Sequence, residues 1–79
     1  MRSGIYVLLE GGGPLVLYRP VQETRSFDIV GLIKSDEVFT VIRSEVNELT
    51  TIATIILPNG DVALAQWWRG KEPKLRRVL

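Results

Sequence analysis

Cysteine and histidine are both absent from this 79-residue sequence. The chain can therefore form no disulfide, no thiolate nucleophile and no zinc site with Cys or His ligands. Long apolar runs are also lacking, since Glu10 and the glycines after it interrupt the N-terminal run IYVLL before it reaches the length of a signal-peptide core or a membrane span. We expect a soluble, cytoplasmic protein that does not contact membranes.

The sequence contains few residues suited to catalysis. It also lacks a serine flanked by glycines, the pattern typical of a nucleophilic serine. The acidic residues nearest the predicted turns are Asp36, Glu37, Glu45, Glu48 and Asp61. A pair of carboxylates can hold a divalent cation or transfer protons, but we interpret these five as solvated turn charges. We therefore expect a protein that is not an enzyme and that has no metal and no cofactor.

The short length predicts one domain over residues 1–79, near the lower limit at which a hydrophobic core alone stabilises a fold. The net charge is only +1, but it is unevenly distributed. Residues 1–66 hold 5 basic and 8 acidic side chains, hence −3, whereas residues 67–79 hold 5 basic and 1 acidic, hence +4. Such an asymmetry marks either a segment that meets an acidic partner or a solvated chain end.

The strongest local signal is the Asn59-Gly60 pair between two β-prone runs, which predicts a β-hairpin with a two-residue type I′ turn. Leu57 then opposes Val62. One face carries Trp68, and the other carries Ile52, Thr54, Ile56, Ala63, Ala65 and Trp67. A four-residue loop over residues 58–61 is the alternative. With either loop, the side chains of the two tryptophans point to opposite faces of the strand.

Further β-type runs at residues 5–9, 15–18, 27–33, 38–42 and 75–79 predict an all-β protein, a barrel or a sandwich. A turn at residues 11–14 and loops at residues 21–26 and 43–49 connect them. Pro20 is expected to end the second strand.

The predicted hairpin is largely apolar on both faces, yet a small barrel has a single interior. The second face therefore needs a partner. We predict that Tyr18, Ile52, Ile56 and Trp67 bind it and that a second copy is that partner, in a homodimer or small homo-oligomer. The alternative is nucleic-acid binding through Trp67 and the cations Arg69, Lys71, Lys74, Arg76 and Arg77.

The segment GLIKSDEVFTVI at residues 31–42, followed by a loop, a hairpin with an Asn-Gly tip and a short last strand, resembles the Src-homology-3-like barrels, especially their bacterial relatives. The likeness covers about residues 27–79. It implies a small all-β barrel of five to seven short antiparallel strands. The segment QWWRG at residues 66–70 is also similar to the Trp-Trp segment of the eukaryotic domains, whose first tryptophan lines a groove for proline-rich peptides. In those domains the pair lies on an earlier strand, so the resemblance implies the barrel more than the groove.

Overall fold

The computed structural model describes residues 1–11, 13–21, 23 and 26–79, and these form one antiparallel β-sheet of seven strands. The strands are β1 (Gly4–Leu8), β2 (Leu15–Val21), β3 (Ser26–Ile33), β4 (Val38–Val46), β5 (Thr50–Ile56), β6 (Val62–Trp68) and β7 (Leu75–Arg77). The all-β prediction is therefore confirmed. β2 continues through Pro20, which we expected to end it. The turn predicted at residues 11–14 and the connection predicted at residues 21–26 lie partly outside the described residues.

The strands follow the order β3-β2-β6-β5-β4-β1-β7, so β3 and β7 are the two edges of the sheet. Within the described residues these edges do not pair, and the predicted barrel is not closed by hydrogen bonds. The sheet is nevertheless curved. Tyr6 in β1 and Leu17 in β2 belong to one buried cluster, although three strands separate them in the sheet. In a flat sheet, strands at this separation would lie about 19 Å apart, too far to share a core.

Side chains alternate along the strands and so define two faces. In β5, Ala53 and Ile55 are buried, whereas Ile52 and Thr54 are half-buried and Ile56 is exposed. We call the face with the buried side chains the inner face and the opposite one the outer face. The inner face supplies the core, whose buried members are Tyr6, Leu8, Leu15, Leu17, Ile33, Phe39, Val41, Ala53, Ile55, Ala63 and Ala65.

The β5–β6 hairpin has a three-residue loop formed by Pro58, Asn59 and Gly60. The Gly60 N–H donates to the Leu57 carbonyl at 2.9 Å, and the Leu57 N–H donates to the Asp61 carbonyl at 2.8 Å. Gly60 has a φ of +92°. This is a type I turn followed by a left-handed residue, the usual form of a three-residue hairpin loop. Proline suits the first central position of such a turn because its ring holds φ near −65°.

The predicted register of this hairpin is wrong by one residue. Ile56 lies opposite Val62, where the prediction had Leu57, and neither the two-residue loop nor the four-residue alternative is formed. A shift of one residue turns every side chain of β6 to the other face relative to β5. The sequence signal for the observed loop was Pro58, which directly precedes the Asn-Gly pair.

We expect Gly60→Val to lower the free energy of unfolding by about 1–2 kcal/mol, because a β-branched residue resists a positive φ. Apart from Gly60 and its two chain neighbours, no described residue has a heavy atom within 4 Å of a Cβ built at this position, so the cost arises in the backbone and not from a collision. Gly60→Asn is the control, since asparagine tolerates the left-handed region and should cost less. Urea denaturation measures the free energy of unfolding of both variants. A Gly60→Val protein as stable as the wild type would contradict this loop.

β4 is longer than predicted. Residues 43–46, which we expected in a loop over residues 43–49, continue the strand to Val46. The chain then turns at Asn47, whose side-chain oxygen accepts hydrogen bonds from the N–H groups of Leu49 and Thr50 at 2.9 and 2.8 Å. An asparagine that satisfies two backbone donors in this way closes a tight turn between neighbouring strands.

The two ends of the described chain are joined beside β1. Ile5 donates to the Leu79 carbonyl at 2.8 Å and accepts from the Val78 N–H at 2.7 Å. The Arg77 guanidinium donates to the carbonyl oxygens of Ser3 and Leu79 at 3.0 and 3.2 Å. β7 is thus shorter than the strand predicted at residues 75–79, but backbone hydrogen bonds continue to the last residue.

Candidate interaction surface

The two tryptophans lie on opposite faces of β6. Trp67 pairs with Thr51 on the inner face, where it is half-buried and packs against the core. Trp68 pairs with Thr50 on the outer face and is 62% exposed. The prediction that they point away from each other is confirmed. The predicted register had, however, grouped Trp67 with Ile52, which lies on the outer face.

An apolar surface on the outer face extends across β3, β2 and β6. It consists of Tyr18, Phe27, Ile29, Leu64 and Trp68, which we call the outer patch. The strand registers place Tyr18 between Ile29 and Leu64. The Phe27 ring meets the Tyr18 ring edge-on, with the centroids 5.2 Å apart. Phe27 and Ile29 are 61% and 72% exposed, so the patch presents several large apolar side chains to solvent.

Tyr18 lies at the centre of the outer patch and is held in place by a neighbour. Its hydroxyl donates to Gln66 Oε1 at 2.7 Å. Tyr18 lines a cavity of about 180 Å³ together with Thr50, Gln66, Trp67 and Trp68. Partial burial raises the pKa of the Tyr18 phenol above its ordinary value, because burial disfavours the charged form. The hydroxyl therefore remains a donor at neutral pH.

Three of the four residues predicted to bind a partner share the outer face. Tyr18 is part of the outer patch, and Ile52 and Ile56 extend the same face along β5. Trp67 lies on the inner face, unlike the other three, but it lines the same cavity as Tyr18.

Phe27, Ile29 and Trp68 were not among the predicted partner-binding residues. The predicted strand at residues 27–33 included the first two, but local patterning does not reveal that this strand lies at a sheet edge. On β4 the same face is more polar, because Arg43 and Glu45 form an exposed ion pair at 2.9 Å. The exposed aromatic side chains of this face are Phe27 on β3 and Trp68 on β6.

Three of the five predicted phosphate-binding cations lie near Trp67. Lys71 and Lys74 line a cleft of about 230 Å³ together with Trp67. Arg69 and Trp67 line a second cleft of about 410 Å³. The inner-face tryptophan thus has cations on two sides.

Glu72 places a negative charge among these cations, since it lines both clefts. Hydrogen bonds from its own N–H and from the Gly70 N–H, the latter at 3.1 Å, lower the pKa of the Glu72 carboxyl, and the positive charge of Arg69 adds to the effect. The carboxylate is therefore charged at neutral pH and opposes the approach of a phosphate.

The other two predicted cations, Arg76 and Arg77, lie on β7 opposite Val7 and Tyr6 of β1. As neighbours on one strand they point to opposite faces. Arg77 is already bound to carbonyl oxygens at both chain ends. The structure therefore does not place all five cations on one surface.

A larger cleft, of about 550 Å³, opens between β3, the start of β4 and the β5–β6 hairpin. Its lining includes the core residues Leu17, Ile33, Phe39 and Ile55 and the exposed Glu37. The volume is within the range of small-molecule sites. The cleft marks a place where the interior of the curved sheet is open to solvent.

The acidic residues interpreted as solvated turn charges are all exposed: Asp36, Glu37, Glu45, Glu48 and Asp61. In the described part of the chain, no group of three or more acidic side chains is arranged to hold a metal ion. Nor do residues 1–11, 13–21, 23 and 26–79 contain a helix long and apolar enough to cross a membrane.

The outer patch is apolar, whereas the clefts beside Trp67 are basic with a carboxylate among their cations, and the two surfaces adjoin at the cavity that Trp67 and Trp68 both line. Comparison of the chain with protein-family models, with curated proteins and with solved structures finds no match.

Proposed function

We propose that this protein is a non-catalytic protein-interaction module that self-associates through the outer face of its sheet. The observation that carries the proposal is the outer patch, in which Phe27, Ile29 and Trp68 are largely exposed around Tyr18. Exposed apolar patches of several hundred Å² on soluble proteins mark interaction sites. Aromatic side chains suit such sites because a rigid ring buries a large area for little lost rotamer entropy.

The size of the outer patch fits a small protein interface. A fully open aromatic side chain presents about 150–250 Å², so Phe27 and Trp68, at 61% and 62% exposure, contribute on the order of 100–150 Å² each. With Ile29 and the adjoining exposed residues of β5 and β6, the patch reaches about 400–500 Å². Two such patches in contact would bury about 1,000 Å², at the lower end of specific interfaces. Association should therefore be weak and concentration-dependent.

The strand order supports a Src-homology-3-like barrel as the fold. β4, β5 and β6 form a meander, and β1 lies between β7 and β4, which makes the order β7-β1-β4-β5-β6. In Src-homology-3-like barrels the first and last strands pair in this way beside a three-stranded meander. In such a barrel the β2–β3 hairpin would be an insertion. It carries three residues of the outer patch, Tyr18, Phe27 and Ile29.

Trp68→Lys should give a folded protein that no longer self-associates. The exposed ring contributes little to packing in the monomer, whereas a lysine in the contact would bury an unpaired charge. Sedimentation velocity from about 10 to about 500 μM measures the effect over the range in which so small an interface should associate.

Val46→Lys is the matched control for this experiment. It places the same charge at a residue that is 59% exposed and that pairs with Thr51 of the inner face, so it should associate like the wild type. A Trp68→Lys variant that associates as strongly as Val46→Lys would contradict the use of the outer patch.

Nucleic-acid binding is a second candidate because Trp67, Lys71 and Lys74 line one cleft. Cations neutralise phosphates, and an aromatic ring stacks on a base. Three observations weigh against it. Glu72 lines the same cleft, and Trp67 is half-buried against the core. A net charge of +1 is also small for a nucleic-acid-binding module.

Binding of single- and double-stranded nucleic acid at several salt concentrations tests this second candidate. If Arg69, Lys71 and Lys74 each neutralise one phosphate, the logarithm of the binding constant should fall by about 2–3 for each tenfold rise in salt. Lys74→Gln should reduce this slope by about one, whereas Arg43→Gln on the outer face should leave it unchanged. The absence of binding at about 50 mM salt would remove the candidate.

A further inference from the structure

Over residues 27–33, β3 pairs with β2 along one side, and no other strand of the described chain lies along its second side. The opposite edge of the sheet differs sharply. β7 is three residues long and carries two arginines, and both properties discourage pairing with a further strand. β3 is eight residues long, so it is the edge with room for another strand.

The side chains of β3 offer little protection against such pairing. Asp28 is the only charged residue in the strand, which contains neither lysine nor proline. Phe27, Ile29 and Leu32 are all at least half exposed. Edge strands of monomeric proteins usually carry lysine, proline or inward-pointing charges that prevent strand addition, and of these β3 has a single inner-face charge, Asp28 opposite Arg19. A long edge with apolar side chains and few charges is a site at which a strand can be added.

We propose that β3 pairs antiparallel with β3 of a second copy of this chain, about a two-fold axis near Ile29. The inference rests on the proposed function, because it assigns a backbone contact to self-association, at the β3 edge of the outer patch. Pairing would continue the sheet from one copy into the next. Phe27 and Ile29 of both copies would then lie on one continuous outer face.

Charge favours a second copy as the occupant of this edge. Arg19 of β2 lies opposite Asp28 of β3, and these are the only charged residues of the two strands. The hairpin strands therefore carry no net formal charge, so two copies meet without repulsion, whereas a strongly charged peptide would find no complementary field. An axis near Ile29, and not at Asp28, also avoids placing the two carboxylates directly opposite each other.

The expected contact is small. A bulge in the β2–β3 ladder next to Tyr18 interrupts the regular course of β3, and this limits the length over which two copies can pair. Backbone hydrogen bonds would be supplemented by cross-strand contacts between aromatic and β-branched side chains, here Phe27 and Ile29. Because the two outer patches adjoin side by side and do not pack on each other, the buried area is smaller than in a face-to-face contact and is typical of weak association.

Amide hydrogen exchange of the full ¹⁵N-labelled chain tests the pairing directly. Measured by NMR at about 20 and about 500 μM, the amides of residues 27–33 that point away from β2 should exchange about tenfold or more slowly at the higher concentration. The amides of Arg76 and Arg77 at the opposite edge are the internal reference and should show no concentration dependence.

Ile29→Lys should abolish both the dimer and the concentration-dependent protection. The side chain is 72% exposed, so circular dichroism should show an unchanged fold. Val46→Lys should keep both properties. A dimer whose β3 amides exchange equally fast at both concentrations would overturn strand pairing and leave self-association through the outer patch in place. A wild type that is monomeric at about 500 μM would overturn both.

Discussion

Trp67→Lys should unfold the protein or lower its free energy of unfolding by about 3 kcal/mol, whereas Trp68→Lys should leave it folded. Trp67 lies on the inner face and packs against the core, but Trp68 is largely exposed. Truncation of a fully buried aromatic side chain costs about 3–5 kcal/mol. The half-buried Trp67 should lose somewhat less packing, but a lysine ammonium at the edge of the core adds a desolvation cost.

This loss is large for a chain of this size. A 79-residue domain has a total stability of roughly 4–12 kcal/mol. Circular dichroism during urea denaturation measures both lysine variants, and Trp67→Phe is the control because it keeps an aromatic ring at the inner face. A stably folded Trp67→Lys beside an unfolded Trp68→Lys would show that the register of β6 is shifted.

Gly4→Ala should destabilise the protein by about 3 kcal/mol, because two independent costs meet at one residue. Gly4 has a φ of +151°, which residues with a Cβ rarely adopt. A Cβ at this position would also collide with the carbonyl oxygen of Leu79 and lie 2.7 Å from Arg77 Nε. That carbonyl accepts the hydrogen bond from the Ile5 N–H. Relief of the collision therefore requires the joined chain ends to separate.

Gly70→Ala is the matched control for Gly4→Ala. Gly70 has a positive φ of +85°, but apart from Gly70 and its two chain neighbours no described residue has a heavy atom within 4 Å of a Cβ built there. The backbone cost alone should be about 1 kcal/mol. Urea denaturation of both variants isolates the contribution of the chain-end contact. Equal destabilisation would show that the hydrogen bonds joining Ile5 to the C-terminal residues contribute nothing to stability.

The positions of most strands along the chain could be predicted from the sequence, because strand formation depends on local side-chain chemistry. The run VFTVI at the start of β4 and the apolar run in β5 have β-branched side chains that favour strands, and the Asn-Gly pair marked the hairpin between β5 and β6. The opposite directions of Trp67 and Trp68 also followed from adjacency alone. Of the candidate surface, local patterning predicted Tyr18, Ile52 and Ile56.

The register of the β5–β6 hairpin could not be predicted from local sequence, because it depends on which turn type forms at residues 57–61. Both faces of β5 carry isoleucine, so a shift of one residue exposes and buries similar side chains, and the hydrophobic pattern does not separate the two registers. In the folded chain, the type I turn that begins with Pro58 and the packing of Trp67 against the core select one of them.

Strand order was decided by tertiary structure alone. Tyr18 in β2 pairs with Leu64 in β6, and this contact between distant segments leaves β3 at the edge of the sheet. Phe27 and Ile29 are exposed for that reason, since the same residues in a central strand would have a neighbour on each side. Sequence periodicity determines which side chains share a face of a strand. Which strand has a neighbour depends on pairing between distant segments, and that pairing placed the outer patch at the β3 edge.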